Sequence, residues 1–367
     1  MRQTDTICRL GGDEFIVLLT EIVDDYAIGE IAEKLLLAVA LDYQIDTHKL
    51  NITASIGISV YPTDGVTVDE LTKNADSAMY DAKAAGRNSY KFYTQEMSTR
   101  VAAQIELEKD LQKALSNNEF VLYYQPKVSL KTGEIVGMEA LIRWLRPQGG
   151  LIAPDLFIPV AEEMGLIKLI GKWVLNEACK QNKKWQDAGL PVIPIAINVS
   201  TVELRQKGYK QEVTKALLQT GLSPECLELE VTESVAIEAN LDVIEELNYL
   251  QNMGVRLSID DFGTGYSSLS YLKRLPFNTI KIDKSFIRDI ESDKNDQAII
   301  IAIINMSRSL NLTVIAEGVE KKTQLDFLVK NNCNEVQGYY FSKPVTPIEF
   351  EKLLADGFPR ISTQIEN

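Results

Sequence analysis

Beyond Glu119 the chain repeats one pattern, a short apolar run ending in a polar residue and followed by a helical stretch. The spacing predicts strands at 120–124, 135–141, 194–199, 227–231, 256–260, 279–282, 313–316 and 335–339, with amphipathic helices such as 166–188 and 297–310 between them. Eight strands with helical crossovers in about 240 residues point to an α/β fold of the (β/α)8, TIM-barrel type. Residues 123–142 read instead as a hairpin turning at Lys131-Thr-Gly133, so the first two strands are expected to run antiparallel.

The residues that end the runs carry the chemistry. In order they are Glu139, Asn198, Glu230, the pair Asp260-Asp261, Lys281, Glu317 and Gln337. Strand C-termini of such a barrel converge on one face, so these groups are expected to ring a single mouth. Any one acidic residue at a strand end has a plain alternative as a helix N-cap or a solvated loop position. The recurrence over successive strands argues for a site. Carboxylates crowded in a cleft repel one another unless cations join them. Oxygen ligands without histidine favour Mg²⁺ or Mn²⁺ over zinc. Asp260 and Asp261 are placed to bridge two such ions about 3.5–4 Å apart, an arrangement suited to phosphodiester cleavage. Lys281 would offset negative charge or polarise an attacking water. Arg143, on the strand face of Leu141, is a candidate phosphate clamp, with a barrel-rim salt bridge as the alternative. Gly263 and Gly265 shape a tight loop before a helix starting near Ser267. Without a third glycine this is no dinucleotide fingerprint, and a lid or metal-positioning loop is the better reading.

Other classes are excluded. The only histidine, His48, sits in a polar stretch and reads as a surface residue, so Ser-His-Asp, Cys-His and histidine-rich metal chemistry are out. A net charge of −14 argues against a nucleic acid polymer as partner, because such binding relies on basic side chains. Cys8, Cys179, Cys226 and Cys333 form no C-x-x-C pair and read as reduced thiols in a cytoplasmic protein. The longest apolar run, 298–304, is too short to span a bilayer. The first ten residues lack the apolar core of a signal peptide, so any membrane attachment is expected upstream of residue 1.

Residues 10–92 read as a short α/β piece, with strands at 15–19, 50–60 and 89–92 and helices at 27–41 and 69–85, the second closed by Gly86. These are too few elements for a complete layer. Val101, Ile105, Leu107, Leu111 and Leu115 mark an amphipathic connecting helix over 96–117. It serves either as a signalling linker or simply as a helix packed on one domain.

With these motifs in place, residues from about 103 to 358 resemble the EAL domain family. The matching runs are YYQPKV at 123–128, Glu139-Ala-Leu-Ile-Arg143, Asn198-Val-Ser, Glu230-Val-Thr-Glu233, Asp260-Asp-Phe-Gly-Thr-Gly265, Lys281-Ile-Asp283, Ala316-Glu-Gly-Val-Glu320 and Gln337-Gly-Tyr. The resemblance implies a barrel that hydrolyses cyclic di-GMP to linear pGpG with two Mg²⁺ or Mn²⁺. It implies that Glu139, Asn198, Glu230 and Asp260 hold one ion and Asp260, Asp261 and Glu317 the other. Lys281 would contact the catalytic water, Gln337 would support the metal shell, and Glu233 would anchor the loop after Asp261. Arg143, Gln125, Asp283 and Glu320 are the implied substrate contacts, and a homodimer through this domain is a family-level expectation. No position departs from the pattern, which weighs against a catalytically silent cyclic di-GMP receptor.

The N-terminal piece resembles the GGDEF domain of diguanylate cyclases through Gly11, Gly12, Asp13, Glu14 and Phe15, then Ala54-Ser-Ile-Gly57 and residues 75–88. Arg2 and Asp5 stand where that family has its product-inhibition site. The family's first strand, a metal-binding aspartate and a nucleotide-contacting helix lie further upstream than this chain reaches. Cyclase activity is therefore not expected of it alone, although a parent protein carrying the missing half would be bifunctional. The division expected is 1–93 for the partial GGDEF domain, 94–117 for the linker helix and 118–360 for the EAL domain.

Overall fold

The computed structural model describes residues 5–20, 25–45, 48–147, 149–205, 208–237, 241–264, 272 and 275–358. Two compact units divide it, Met1–Lys109 and Asp110–Asn367.

In the first unit β1 (Thr6–Gly11) and β2 (Glu14–Leu18) form an antiparallel hairpin, followed by α1 (Asp25–Val39). Next come β3 (Tyr43–Ile45), β4 (His48–Leu50), β5 (Ile56–Ile58), α2 (Val68–Ala84) and β6 (Tyr90–Phe92). The strand expected over 50–60 is split. Its two ends find different partners, β4 pairing antiparallel with β3 and β5 parallel with β6, and residues 51–55 belong to neither ladder. A small core of Ile28, Ala32 and Ile58 lies under Leu19, Val60, Tyr90 and Phe92. Gly57 must be glycine, since a Cβ there would stand 1.9 Å from the carbonyl oxygen of Ala75. Helix α2 begins on a capping box, Thr67 Oγ1 accepting from Glu70 N while the Glu70 carboxylate accepts from Thr67 N. Helix α3 (Gln95–Ala114) runs through the boundary between the units.

The second unit is a closed barrel. Its strands are β7 (Phe120–Ser129) and β8 (Ile135–Arg146), with the short β9 (Gly150–Ile152) appended. After α4 (Pro154–Glu163) and α5 (Ile167–Asp187) come β10 (Ile195–Asn198), α6 (Thr201–Leu204) and α7 (Tyr209–Thr220). Then follow β11 (Leu227–Thr232), α8 (Glu233–Ile237), α9 (Leu241–Asn252), β12 (Arg256–Phe262), β13 (Thr279–Ile282), α10 (Lys284–Arg288) and α11 (Lys294–Ser309). The last are β14 (Thr313–Ala316), α12 (Lys322–Lys330), β15 (Glu335–Val336) and α13 (Pro347–Asp356). Strand order runs β10-β11-β12-β13-β14-β15-β7-β8 and closes through β8–β10. Around the barrel all pairs are parallel except those of β7, which is antiparallel to both β15 and β8; the appended β9 is antiparallel to β8. The hairpin expected at 123–142 is thus present, turning where Gly133 adopts φ 74°.

The strand expected over 335–339 stops at Val336 because the chain turns sharply onto the neighbouring loop. Gly338 packs so closely there that a Cβ would lie 2.1 Å from Val319 O, and Tyr340 N donates to that oxygen at 2.9 Å. The aliphatic residues of the strands face the helices: Leu227, Leu229, Leu257, Ile259, Ile280 and Ile282 are fully buried. The other face of the same strands points into the barrel, and there the residues are polar.

Candidate active site

Period-two alternation fixes which side chains share the barrel interior. Glu139 pairs in register with Gln125 on one side and Ala196 on the other. Asn198 stands beside Glu230, and Glu230 beside Ser258. A barrel of this kind is ordinarily filled by branched aliphatic residues. Here Gln125, Lys127, Glu139, Glu228, Glu230, Ser258, Thr279, Lys281 and Gln337 are all buried, and a polar interior of this extent requires pairing.

The adjacent aspartates need a departure from regular strand geometry, since consecutive side chains otherwise point to opposite faces. Strand β12 supplies it as a bulge: Ile259 pairs with Ile280 and Phe262 with Ile282, so Asp260 and Asp261 together stand against Lys281. Asp261 takes the left-handed conformation, φ 53°, which aspartate tolerates better than most residues. Its amide donates to Asp260 Oδ1 at 3.0 Å. The loop that follows is tied down by the buried Glu233 carboxylate, which accepts from Gly263 N at 2.9 Å. Gly265 and the helix expected near Ser267 lie outside the described residues.

Lys281 stands at the centre, almost fully buried. Its ammonium lies 2.5 Å from Glu230 Oε2, 2.7 Å from Glu317 Oε1, 3.1 Å from Asp260 Oδ1 and 3.8 Å from Glu139 Oε2. Glu139 is oriented from two sides, accepting from Asn198 Nδ2 at 2.7 Å and from Gln337 Nε2 at 2.6 Å. Gln337 Nε2 also donates to Gln125 Oε1, and Gln125 Nε2 to Ser342 O, each at 3.0 Å. The structure therefore brings together Glu139, Asn198, Glu230, Asp260, Asp261, Lys281, Glu317 and Gln337, with Gln125 buttressing Gln337.

The electrostatics are those of a site short of positive charge. Glu139, Glu228, Glu230, Asp260, Asp261 and Glu317 supply six carboxylates against the two ammoniums of Lys127 and Lys281, with Asp283 facing Asp261, an excess of negative charge that divalent cations would offset. Without such ions the deficit appears as proton affinity. Burial holds the Glu139 and Glu317 carboxyls above their ordinary range against the pull of Lys281. Burial, with Asp260 and Asp283 alongside, raises Asp261 to about 6. Glu230 is the exception: burial works the other way, but Lys127 and Lys281 bring it down to about 2. Burial opposes charge on Lys281 too, yet Asp260, Glu139, Glu230 and Glu317 outweigh it and its pKa lies well above the ordinary value.

One oxygen from each of Asp260, Asp261 and Glu317 can be chosen so that all lie within 4.8 Å of one another. Gln337 Oε1 is buried and has no hydrogen-bond partner among the described residues. Hard oxygen donors, an unsatisfied acceptor and excess negative charge fit Mg²⁺ or Mn²⁺.

The other expected site residues are placed differently. Arg143 is half-buried, its guanidinium donating to Ile142 O at 2.8 Å and lying 5.9 Å from the Tyr123 ring centroid. Among the described residues it forms no ion pair, so the rim salt bridge is not what holds it. Asp283 caps α10, accepting from Ser285 N at 2.9 Å, and its carboxyl also faces that of Asp261. Glu320 is exposed and apart from the group; its amide donates to Gln324 Oε1. Gly11, Gly12, Asp13, Glu14 and Phe15 form the exposed tip of the β1–β2 hairpin, with Gly12 at φ 54°. Asp5 precedes β1, whereas Arg2 lies outside the described residues, as does the side chain of His48.

Sequence reasoning missed Lys127 and Glu228. Both lie two residues from a recognised position, Lys127 after Gln125 and Glu228 before Glu230, so strand alternation alone carries the signal that they face inward.

Comparison with known proteins agrees with this fold. The family described as "EAL domain" matches residues 108–344, and "Diguanylate cyclase, GGDEF domain" matches residues 1–89. The bifunctional diguanylate cyclase/cyclic di-GMP phosphodiesterase MucR of Pseudomonas aeruginosa is 48% identical over 358 residues, 97% of this chain and 51% of that protein. The cyclic di-GMP phosphodiesterase NbdA of the same organism is 42% identical over 355 residues, 96% of this chain and 45% of that protein. This chain thus spans about half the length of the curated relatives it matches. A solved structure described as the PaMucR phosphodiesterase in complex with c-di-GMP superposes with a TM-score of 0.65 at 46% identity, covering 67% of this chain and 99% of that one.

Proposed function

The chain belongs to the EAL domain family, and on that premise we propose that it hydrolyses cyclic di-GMP to linear pGpG with divalent cations held at the barrel mouth. The observation that carries this reading is the oxygen cluster of Asp260, Asp261 and Glu317, contiguous with Glu139, Asn198 and Glu230 around one buried lysine. Asp260, Asp261 and Glu317 would hold one ion, and Glu139, Asn198, Glu230 and Asp260 a second. Bound there, two Mg²⁺ or Mn²⁺ would make water acidic enough to attack at neutral pH and neutralise charge developing on the phosphodiester.

The chain's own groups do the rest. Gln337 and Asn198 lock the Glu139 carboxylate by donating to both of its oxygens. Glu233 fixes the loop that positions Asp261. The Lys281 ammonium sits within reach of four carboxylates and is suited to orient the attacking water and to stabilise negative charge on the phosphate. Arg143, cation-rich and half-buried at the rim, suits a phosphate oxygen of the ligand.

Incubation of the purified chain with cyclic di-GMP and Mg²⁺, followed by chromatography and mass analysis, is expected to yield pGpG, and EDTA to stop it. No product in either Mg²⁺ or Mn²⁺ overturns the proposal; tight nucleotide binding in Ca²⁺ with no turnover in Mg²⁺ establishes a receptor instead. Glu233→Ala removes the carboxylate that tethers the loop through Gly263 N and is expected to lower turnover by roughly 10–100-fold at fixed Mg²⁺, with Glu233→Gln, which keeps an acceptor oxygen, nearer the parent. Equal loss in both variants argues for charge rather than anchoring. The match of residues 1–89 to the GGDEF family favours a second reading, a bifunctional parent protein. Incubation of the longer parent protein with GTP tests it, cyclic di-GMP being the product that supports it and its absence the result that overturns it.

A further inference from the structure

Glu230 is held at both oxygens. Lys281 takes Oε2, and Lys127, from the opposite side of the barrel, takes Oε1 at 2.7 Å. Lys127 is nearly fully buried, and its ammonium is itself pinned by Glu228 Oε1 at 3.0 Å. Gly137 lies directly across from it in register, with the Lys127 stem packed beside it. The neighbouring Ser258 hydroxyl, also buried, donates to nothing among the described residues. Among those residues the two ammoniums are therefore the only side chains that hold the Glu230 carboxylate.

The two contacts are not equivalent. Lys281 shares its charge among Glu230, Glu317, Asp260 and Glu139, all at the mouth. Any cation accepted by Oε2 competes with Lys281 for that oxygen. Among the described residues Lys127 pairs directly with no mouth residue other than Glu230, with Glu228 on its other side and Lys281, Glu139 and the partly buried Glu335 within electrostatic reach. Its contact can persist whatever occupies the mouth.

We propose that Lys127 is a positioning residue: it fixes Glu230 from beneath, through Oε1, so that Oε2 alone is presented to a divalent cation. Glu228 keeps the Lys127 ammonium at the height this requires. The assignment rests on Glu230 being a ligand in the proposed metal-dependent reaction, and it goes beyond that reading by placing a determinant of metal affinity outside the ligand set.

A purely structural alternative exists, in which Lys127 merely neutralises buried carboxylates. Lys127→Met alone strands Glu228 and endangers the fold. The double variant Lys127→Met/Glu228→Gln removes both partners of the buried pair, an exchange that folded proteins commonly accept. Mn²⁺ binding is measured by titration calorimetry on the full chain, with the melting temperature of the metal-free protein alongside. The double variant is expected to melt close to the parent yet bind Mn²⁺ roughly 10–100-fold more weakly, the range typical of lost support behind a metal ligand. Its Mg²⁺ requirement for turnover should rise with kcat at saturating metal largely restored. Mn²⁺ affinity within twofold of the parent overturns the assignment, and so does a double variant that cannot fold, because the pair would then serve the core. A parent chain that binds no Mn²⁺ at all sinks the metal reading itself, a result distinct from either.

Discussion

Asp260→Asn is expected to lower turnover of cyclic di-GMP by at least about three orders of magnitude at saturating Mg²⁺, a loss of roughly 4 kcal/mol of transition-state stabilisation. Asp260 is the one carboxylate shared by both proposed ligand sets. It contacts Lys281 through Oδ1, accepts from the Asp261 amide through the same oxygen, and belongs to the cluster with Asp261 and Glu317. Asparagine keeps the size and an oxygen for those hydrogen bonds, so the bulge should survive. What it loses is the charge that binds cations, and with it the like-charge repulsion against Asp261, Glu139 and Glu317. Activity and stability should therefore move in opposite directions, the metal-free variant melting at or above the parent. Calorimetry in EDTA paired with product analysis in Mg²⁺ and Mn²⁺ reads both. Turnover within tenfold of the parent would show that Asp260 is not a shared ligand.

That this site could be read so far from residues alone reflects how strand-end chemistry is written in an α/β barrel. Glu139, Asn198, Glu230, Asp260, Lys281, Glu317 and Gln337 each close an apolar run, and fold and site share a single signal there. The closed barrel and its antiparallel opening hairpin follow from the same spacing. What sequence could not show is which polar groups pair. Lys127 and Glu228 lie within strands rather than at their ends, and reading outward from the motifs passed over them. Gln125 and Asp283 stand in motifs that suggested ligand contact, and no local pattern says that Gln125 also bonds Gln337 and Ser342, or that Asp283 also caps α10 and faces Asp261. The Asp260-Asp261 bulge is another such case, because a two-against-one pairing depends on the register of β13, which no local pattern encodes. The first unit was harder for a different reason. Alternation over 50–60 records an extended backbone, but whether it forms one strand or two depends on partners elsewhere in the chain.

Lys281→Met should separate the two tasks of the central lysine. In the metal-free protein its ammonium is the counterion of Glu230, Glu317 and Asp260, with Glu139 close by, and all are buried or partly so. Removing one partner of a buried ionic cluster costs about 3–5 kcal/mol. At roughly 2–4 °C per kcal/mol for a domain of this size, the barrel should melt some 6–20 °C lower in EDTA. Proton uptake by carboxyls already held above their ordinary range, Glu139 and Glu317 foremost, will absorb part of that cost, so the deficit should be smaller at low pH and larger at high pH. The sign follows from linkage: a carboxyl raised in the folded state stabilises it while protonated and loses that contribution as pH climbs through its folded pKa. Mg²⁺ supplies the missing positive charge, and the variant should regain most of its melting temperature when the ion is added. Turnover should not return with it. If Lys281 acts on the attacking water and the phosphate, loss of the ammonium removes an interaction that a cation bound to the carboxylates does not replace, and hydrolysis should stay at least about three orders of magnitude below the parent. A variant that recovers both stability and turnover in Mg²⁺ would reduce Lys281 to a counterion. One that recovers stability alone assigns it to the chemistry.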